Sequence, residues 1–142
     1  MIITSAKYVG SAMIVAVIDG QEKNVPDDLR NMHRQAIEAW VAAGGEIAPY
    51  VAPPPSMDDY SIAIQLHLDA TAATRQYDSI QTAVTYRGDS NPVFAAEADA
   101  LFAWRSSVWT YATEELARVM AGERTQPTVV AFIAELPEMV WP

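Results

Sequence analysis

The chain has 142 residues, enough for one ordinary domain or two small units. Its 51% hydrophobic and 19% charged residues are ordinary for a globular protein and argue against disorder. With no cysteine and a net charge of −9, it excludes disulfides, thiolate metal sites and cysteine nucleophiles, and it disfavours phosphate backbones and anionic lipid as partners.

Residues 1–55 carry a net charge of −2 and residues 56–142 a net charge of −7. The first residues lack the basic and long apolar regions of an export signal, and no stretch approaches the ~20 apolar residues of a membrane span. The expected location is therefore the cytoplasm, until something incorporates the protein.

Residues 2–9 and 13–18 alternate as strands, and Asp19-Gly20 between apolar runs signals a hairpin returning through residues 21–25. Pro26 has no N–H for a ladder and ends the pairing. Asp27-Asp28 are suited to cap a helix whose apolar face is Leu29, Met32, His33, Ala36, Ile37, Trp40 and Val41, and Gly44-Gly45 stops it. Pro49 to Pro55 is the clearest boundary; with no basic flank it reads as a semi-rigid linker rather than a proline-recognition ligand.

Beyond it the period turns helical. Ser56 to Asp59 forms a capping box, and the stripe Tyr60, Ile64, His67, Leu68 and Thr71 follows. Asp78-Ser79-Ile80-Gln81 repeats the box and opens a short helix that Gly88 can close. Asn91-Pro92 starts the longest one, with a stripe from Phe94 through Ala98, Leu101, Phe102, Arg105, Val108, Trp109, Ala112 and Leu116 to Val119, ended by Gly122. Thr128 begins a last short helix. The expected fold class is α+β: a small N-terminal β-hairpin or meander plus helix (1–48), a Pro-rich linker (49–55), and an all-α antiparallel helical unit of three to four helices (56–142).

Chemistry-bearing patterns are scarce. His33 and His67 stand alone, with no second histidine at ligand spacing, so neither a metal site nor any other cofactor site is written here. Paired carboxylates fall at helix starts or on solvated faces, and no nucleophile elbow or phosphate loop occurs. No enzyme is expected; a wall-degrading enzyme with two carboxylates is the remote alternative. What stands out is aromatic: Trp104 and Trp109 lie about 140° apart around their helix, so at most one is at the centre of the apolar stripe and the other is a candidate surface anchor, with core packing of both as the alternative. With Tyr111 and the near-terminal Trp141, they are the candidate partner-binding residues.

Several stretches together carry a resemblance. In the first half they are Ile18-Asp19-Gly20, Val25-Pro26-Asp27-Asp28, Glu38 to Gly44 and Ile47-Ala48-Pro49-Tyr50. In the second half they are His67 to Ala72, Asn91-Pro92, Ala103 to Trp109 and Ala121 to Arg124. The chain resembles small tail-associated proteins of tailed bacteriophages and prophages, and its Trp141-Pro142 ending is similar to that of many tail fibre assembly chaperones. One departure is Gly45, where related sequences often have Asn; both tolerate positive φ. The resemblance implies a protein without cofactor that binds a tail fibre or baseplate protein, works in the host cytoplasm during assembly, and then leaves or stays on the virion tail. A permanent structural component of the tail or baseplate is the alternative, and homo-oligomerisation stays open. The hairpin offers an edge strand for pairing with a fibre, and the helical unit offers its indoles.

Overall fold

The computed structural model describes Met1–Pro142 and has the expected α+β class. Two compact units divide the chain, Met1–Pro54 and Pro55–Pro142, with the division inside the proline run.

The first unit is a four-stranded sheet with one helix. The strands β1 (Ile3–Tyr8), β2 (Met13–Ile18) and β3 (Gln21–Pro26) form an antiparallel meander. Asp19 (φ 53°) and Gly20 (φ 79°) make the two-residue turn, both with the positive φ that matches strand twist. The Asp19 carboxylate accepts the Ile2 N–H at 2.7 Å, tying the start of β1 to this turn. Ile14, Ala16 and Ile18 point inward and are fully buried with Val25, against Ile37 of α1 (Met32–Ala42).

A fourth strand, β4 (Ile47–Ala48), pairs in parallel with Ala6 and Lys7, giving the order β3-β2-β1-β4. The sequence reading did not foresee it, because two residues are too few to show alternation.

The helix also starts later than expected. Asn31, not Asp27-Asp28, is the cap, accepting the N–H groups of His33 and Arg34. The two aspartates serve arginines instead: Asp28 takes Arg30, and Asp27 shares the buried Arg34 with Glu38. Leu29 and Met32, placed on the apolar face by the sequence, are 59% and 64% exposed.

Gly45 is a further correction. Gly44 carries the positive φ (103°) of the helix stop, whereas at Gly45 a Cβ would run into the indole of Trp40. Close approach, not a left-handed backbone, requires that glycine.

The second unit contains α2 (Met57–Ala73), α3 (Ile80–Val84), α4 (Pro92–Met120) and α5 (Val129–Ala134). Each start is a side-chain cap: the Ser56–Asp59 box, then Ser79, Asn91 with Pro92 behind it, and Thr128. The core is built on Tyr60, Ile64 and Leu68 of α2, Leu101 and Val108 of α4 and Phe132 of α5, all fully buried. Tyr60 meets Phe132 edge to face at 5.3 Å, and its hydroxyl donates to the Pro127 carbonyl. Asp69 of α2 accepts the Ile80 N–H at 3.0 Å, which fixes the start of α3. Arg124, beyond α4, bridges Glu115 of α4 and Glu135 past the end of α5.

Candidate functional site

Which side of α4 faces the core decides what is left for a partner. The buried positions are Glu97, Ala98, Leu101, Trp104, Val108 and Ala112. This face is rotated from the expected stripe: Phe94 and Phe102 are 41% and 44% exposed and Arg105 is exposed, while Trp104 takes an interior place at 6%. Small Ala98 and Ala112 mark the side where neighbours pack closely.

The four candidate residues divide accordingly. Trp104 belongs to the core, and its indole N–H is committed to the Pro137 carbonyl at 2.7 Å. Tyr111 is half-buried, its ring 6.4 Å from that of Phe132. Trp141 is half-buried on its own helical unit, with the Arg75 guanidinium 4.7 Å from its ring. Trp109 is half-buried as well and packs against the same core, while its outer side opens onto the surface.

That surface is a shallow, open groove running along α4 alone, lined by Phe102, Arg105, Ser106, Trp109, Thr113 and Glu114, with Thr110. Their spacing of three and four residues places them on one side of the helix, lateral to the buried face. Apolar ring edges at Phe102 and Trp109 alternate with the hydroxyls of Ser106 and Thr113. The Arg87 guanidinium stacks 3.7 Å from the Phe102 ring and, paired to Asp99, fixes that end of the groove. The sequence pattern puts Phe102 on the apolar stripe, whereas it is 44% exposed; Ser106 and Thr113 give no signal in the sequence, because residues of middling polarity carry none until the helix orientation is known.

Charge sharpens the picture. Arg30, Arg34, Arg75, Arg87, Arg118 and Arg124 each stand within 4 Å of a carboxylate, and Arg105 alone does not. Glu114, at the far end of the groove, has no ion-pair partner either. In a helical unit where every other arginine is paired, a free guanidinium beside two aromatic rings provides donors and stacking surface to a second chain.

Other features are structural. No three of the histidines and carboxylates converge as metal ligands, and no helix is long and apolar enough to cross a membrane. His67 stacks edge-on against Trp104 at 5.8 Å, and His33 keeps a buried Nδ1 without a hydrogen-bond partner. The Arg124 N–H groups hold the Glu115 carboxyl below its ordinary value, with Arg118 adding to the effect.

The β3 edge of the sheet is blunted. With Ile18 and Gln21 flanking a two-residue turn, the ladder alternation directs the N–H groups of Glu22 and Asn24 outward on β3, and the next outward position is Pro26, which has none. The Pro26 carbonyl already accepts the Asp28 N–H at 2.8 Å. Such a short window guards the edge more than it offers one.

Comparison of the chain with protein-family models, curated proteins and solved structures gives no match.

Proposed function

We propose that this chain is a tail-fibre-associated protein of a tailed bacteriophage, one that binds a fibre polypeptide and assists its assembly without catalysing a reaction. The observation that carries the binding part is the α4 groove, where Phe102, Trp109 and the unpaired Arg105 present the residue types that dominate protein interfaces on one helical face. The phage assignment comes from the sequence resemblance of both halves.

The physical need is clear. Fibre chains with non-local β topology fold slowly and expose unpaired strands and apolar surface while they assemble, and a bound protein that covers such surface suppresses aggregation. The α4 groove suits a short amphipathic segment of such a chain: an apolar side chain seats between Phe102 and Trp109, and a carboxylate meets Arg105. With the β3 edge of its sheet blunted, the protein grips by side chains rather than by adding a strand there.

Co-expression with the fibre polypeptide is the test. The soluble fraction of fibre rises in the presence of this chain and falls back with Trp109→Ala. A soluble fraction that is the same with and without the chain refutes the reading. Stoichiometric recovery of the chain from purified virions would instead favour a permanent tail component.

A further inference from the structure

Pro137–Pro142 has no regular secondary structure, yet it is pinned at three places. Trp104 donates its indole N–H to the Pro137 carbonyl at 2.7 Å. Met139 and Trp141 lie half-buried on the helical core. Over the Trp141 ring sits the Arg75 guanidinium, at 4.7 Å.

Arg75 is drawn in two directions. Its Nη1 stands 3.5 Å from Glu97 Oε2, close enough to pair but beyond the ~2.7–2.9 Å of a charge-assisted hydrogen bond. Glu97 is only 8% exposed, and that same Oε2 is buried with no hydrogen bond at all. The Tyr77 hydroxyl reaches the other oxygen, Oε1, at 3.4 Å. A buried carboxylate oxygen without a donor is costly. The nearest guanidinium is the one held over Trp141, and Pro142 lines the same small hollow as Arg75 and Glu97 at the start of α4.

We infer that Pro137–Pro142 is a releasable strap with Arg75 as its latch. Shut, the guanidinium covers Trp141 and leaves Glu97 under-satisfied. Open, it closes on Glu97 Oε2 and supplies the missing hydrogen bond, and Trp141 and Met139 come free to seat in a partner polypeptide. Release breaks no backbone ladder and leaves all four helix caps of the unit intact, which places it among low-cost local openings. The use of Trp141 as a concealed anchor rests on the partner-binding reading above; the opening itself does not.

The four tryptophans give four indole N–H signals in a nitrogen-15 spectrum of the full chain. Hydrogen exchange at Trp104 Nε1 reports strap opening, and exchange at the Val108 amide in the same helix reports loss of the core. The expected result is a Trp104 indole that exchanges at least about 10-fold faster than the Val108 amide, after correction for intrinsic rates.

Glu97→Gln removes the charge that draws Arg75 away, so the Trp104-to-Val108 ratio falls by about 3- to 10-fold. Trp141→Ala weakens the shut state and raises that ratio by about 10-fold. Because it is a ratio, a variant that merely loosens the whole unit moves both signals together. An indole that exchanges at the rate of the core amide, or a ratio that Glu97→Gln leaves unchanged or raises, overturns the inference, and neither outcome touches fibre binding through the α4 groove.

Discussion

Replacing Trp104 by Phe keeps an aromatic ring in the core and removes the indole N–H with part of the ring system. The Pro137 carbonyl then loses its donor at 2.7 Å, and the core loses part of a side chain that is 6% exposed. An unsatisfied carbonyl costs about 1–3 kcal/mol, but this one lies on a segment able to turn it toward water, which holds the cost near the lower end. Together with the lost packing, the expected destabilisation is about 1.5 kcal/mol. For a unit the size of Pro55–Pro142 that corresponds to a fall in Tm of roughly 6–12 °C, read from the helical signal in circular dichroism. Trp109→Phe, on the groove side, changes stability by less than about 0.5 kcal/mol. If Trp104→Phe lies within that margin of the parent chain, or Trp109→Phe costs more, the assignment of the two indoles is wrong.

Gly45→Ala drives a methyl group into the Trp40 indole and is expected to cost the N-terminal unit about 1–3 kcal/mol, measured by urea unfolding of that unit. Glu115 has its pKa held below the ordinary 4.5 by Arg124 and Arg118, so its contribution is complete above the unfolded value and is lost as pH falls through the folded one. Glu115→Gln therefore flattens the acid side of the helical unit's stability profile and leaves neutral pH behaviour of the remaining groups intact; an unchanged acid limb refutes this. Trp109→Ala lowers affinity for the fibre polypeptide by about 5- to 150-fold, as calorimetric titration would show.

Much of the local structure is legible from the chain. Asp19-Gly20, Ser56 with Asp59, Asn91-Pro92 and Thr128 each satisfy a backbone requirement through the residue itself, so their turns and caps follow from chemistry within a few positions. Asp27-Asp28 misled for a physical reason: a carboxylate before an apolar run suits a helix cap, but these two are spent on Arg34 and Arg30, and Asn31 takes the cap. The strand β4 escaped because its pairing with Ala6 and Lys7 is wholly tertiary.

On α4 the difficulty was an excess of apolar residues. Phe94, Phe102, Trp104, Trp109 and Tyr111 surround the helix, so hydrophobicity alone does not choose the buried side. The choice shows in the burial of Ala98 and Ala112 and in the Trp104 bond to Pro137, thirty-three residues away in sequence. Trp141, a candidate partner-binding residue in the sequence, packs on its own unit.

The central claim is that the Phe102–Trp109 side of α4 holds a fibre polypeptide. Its most direct measurement is binding of the purified fibre polypeptide to the intact chain and to a Phe102→Ala, Trp109→Ala double variant whose circular dichroism matches the parent. Saturable binding by the parent, with at least about a 10-fold loss in the double variant, is the predicted result. Equal affinity of the two, or no binding by the parent chain, would contradict it.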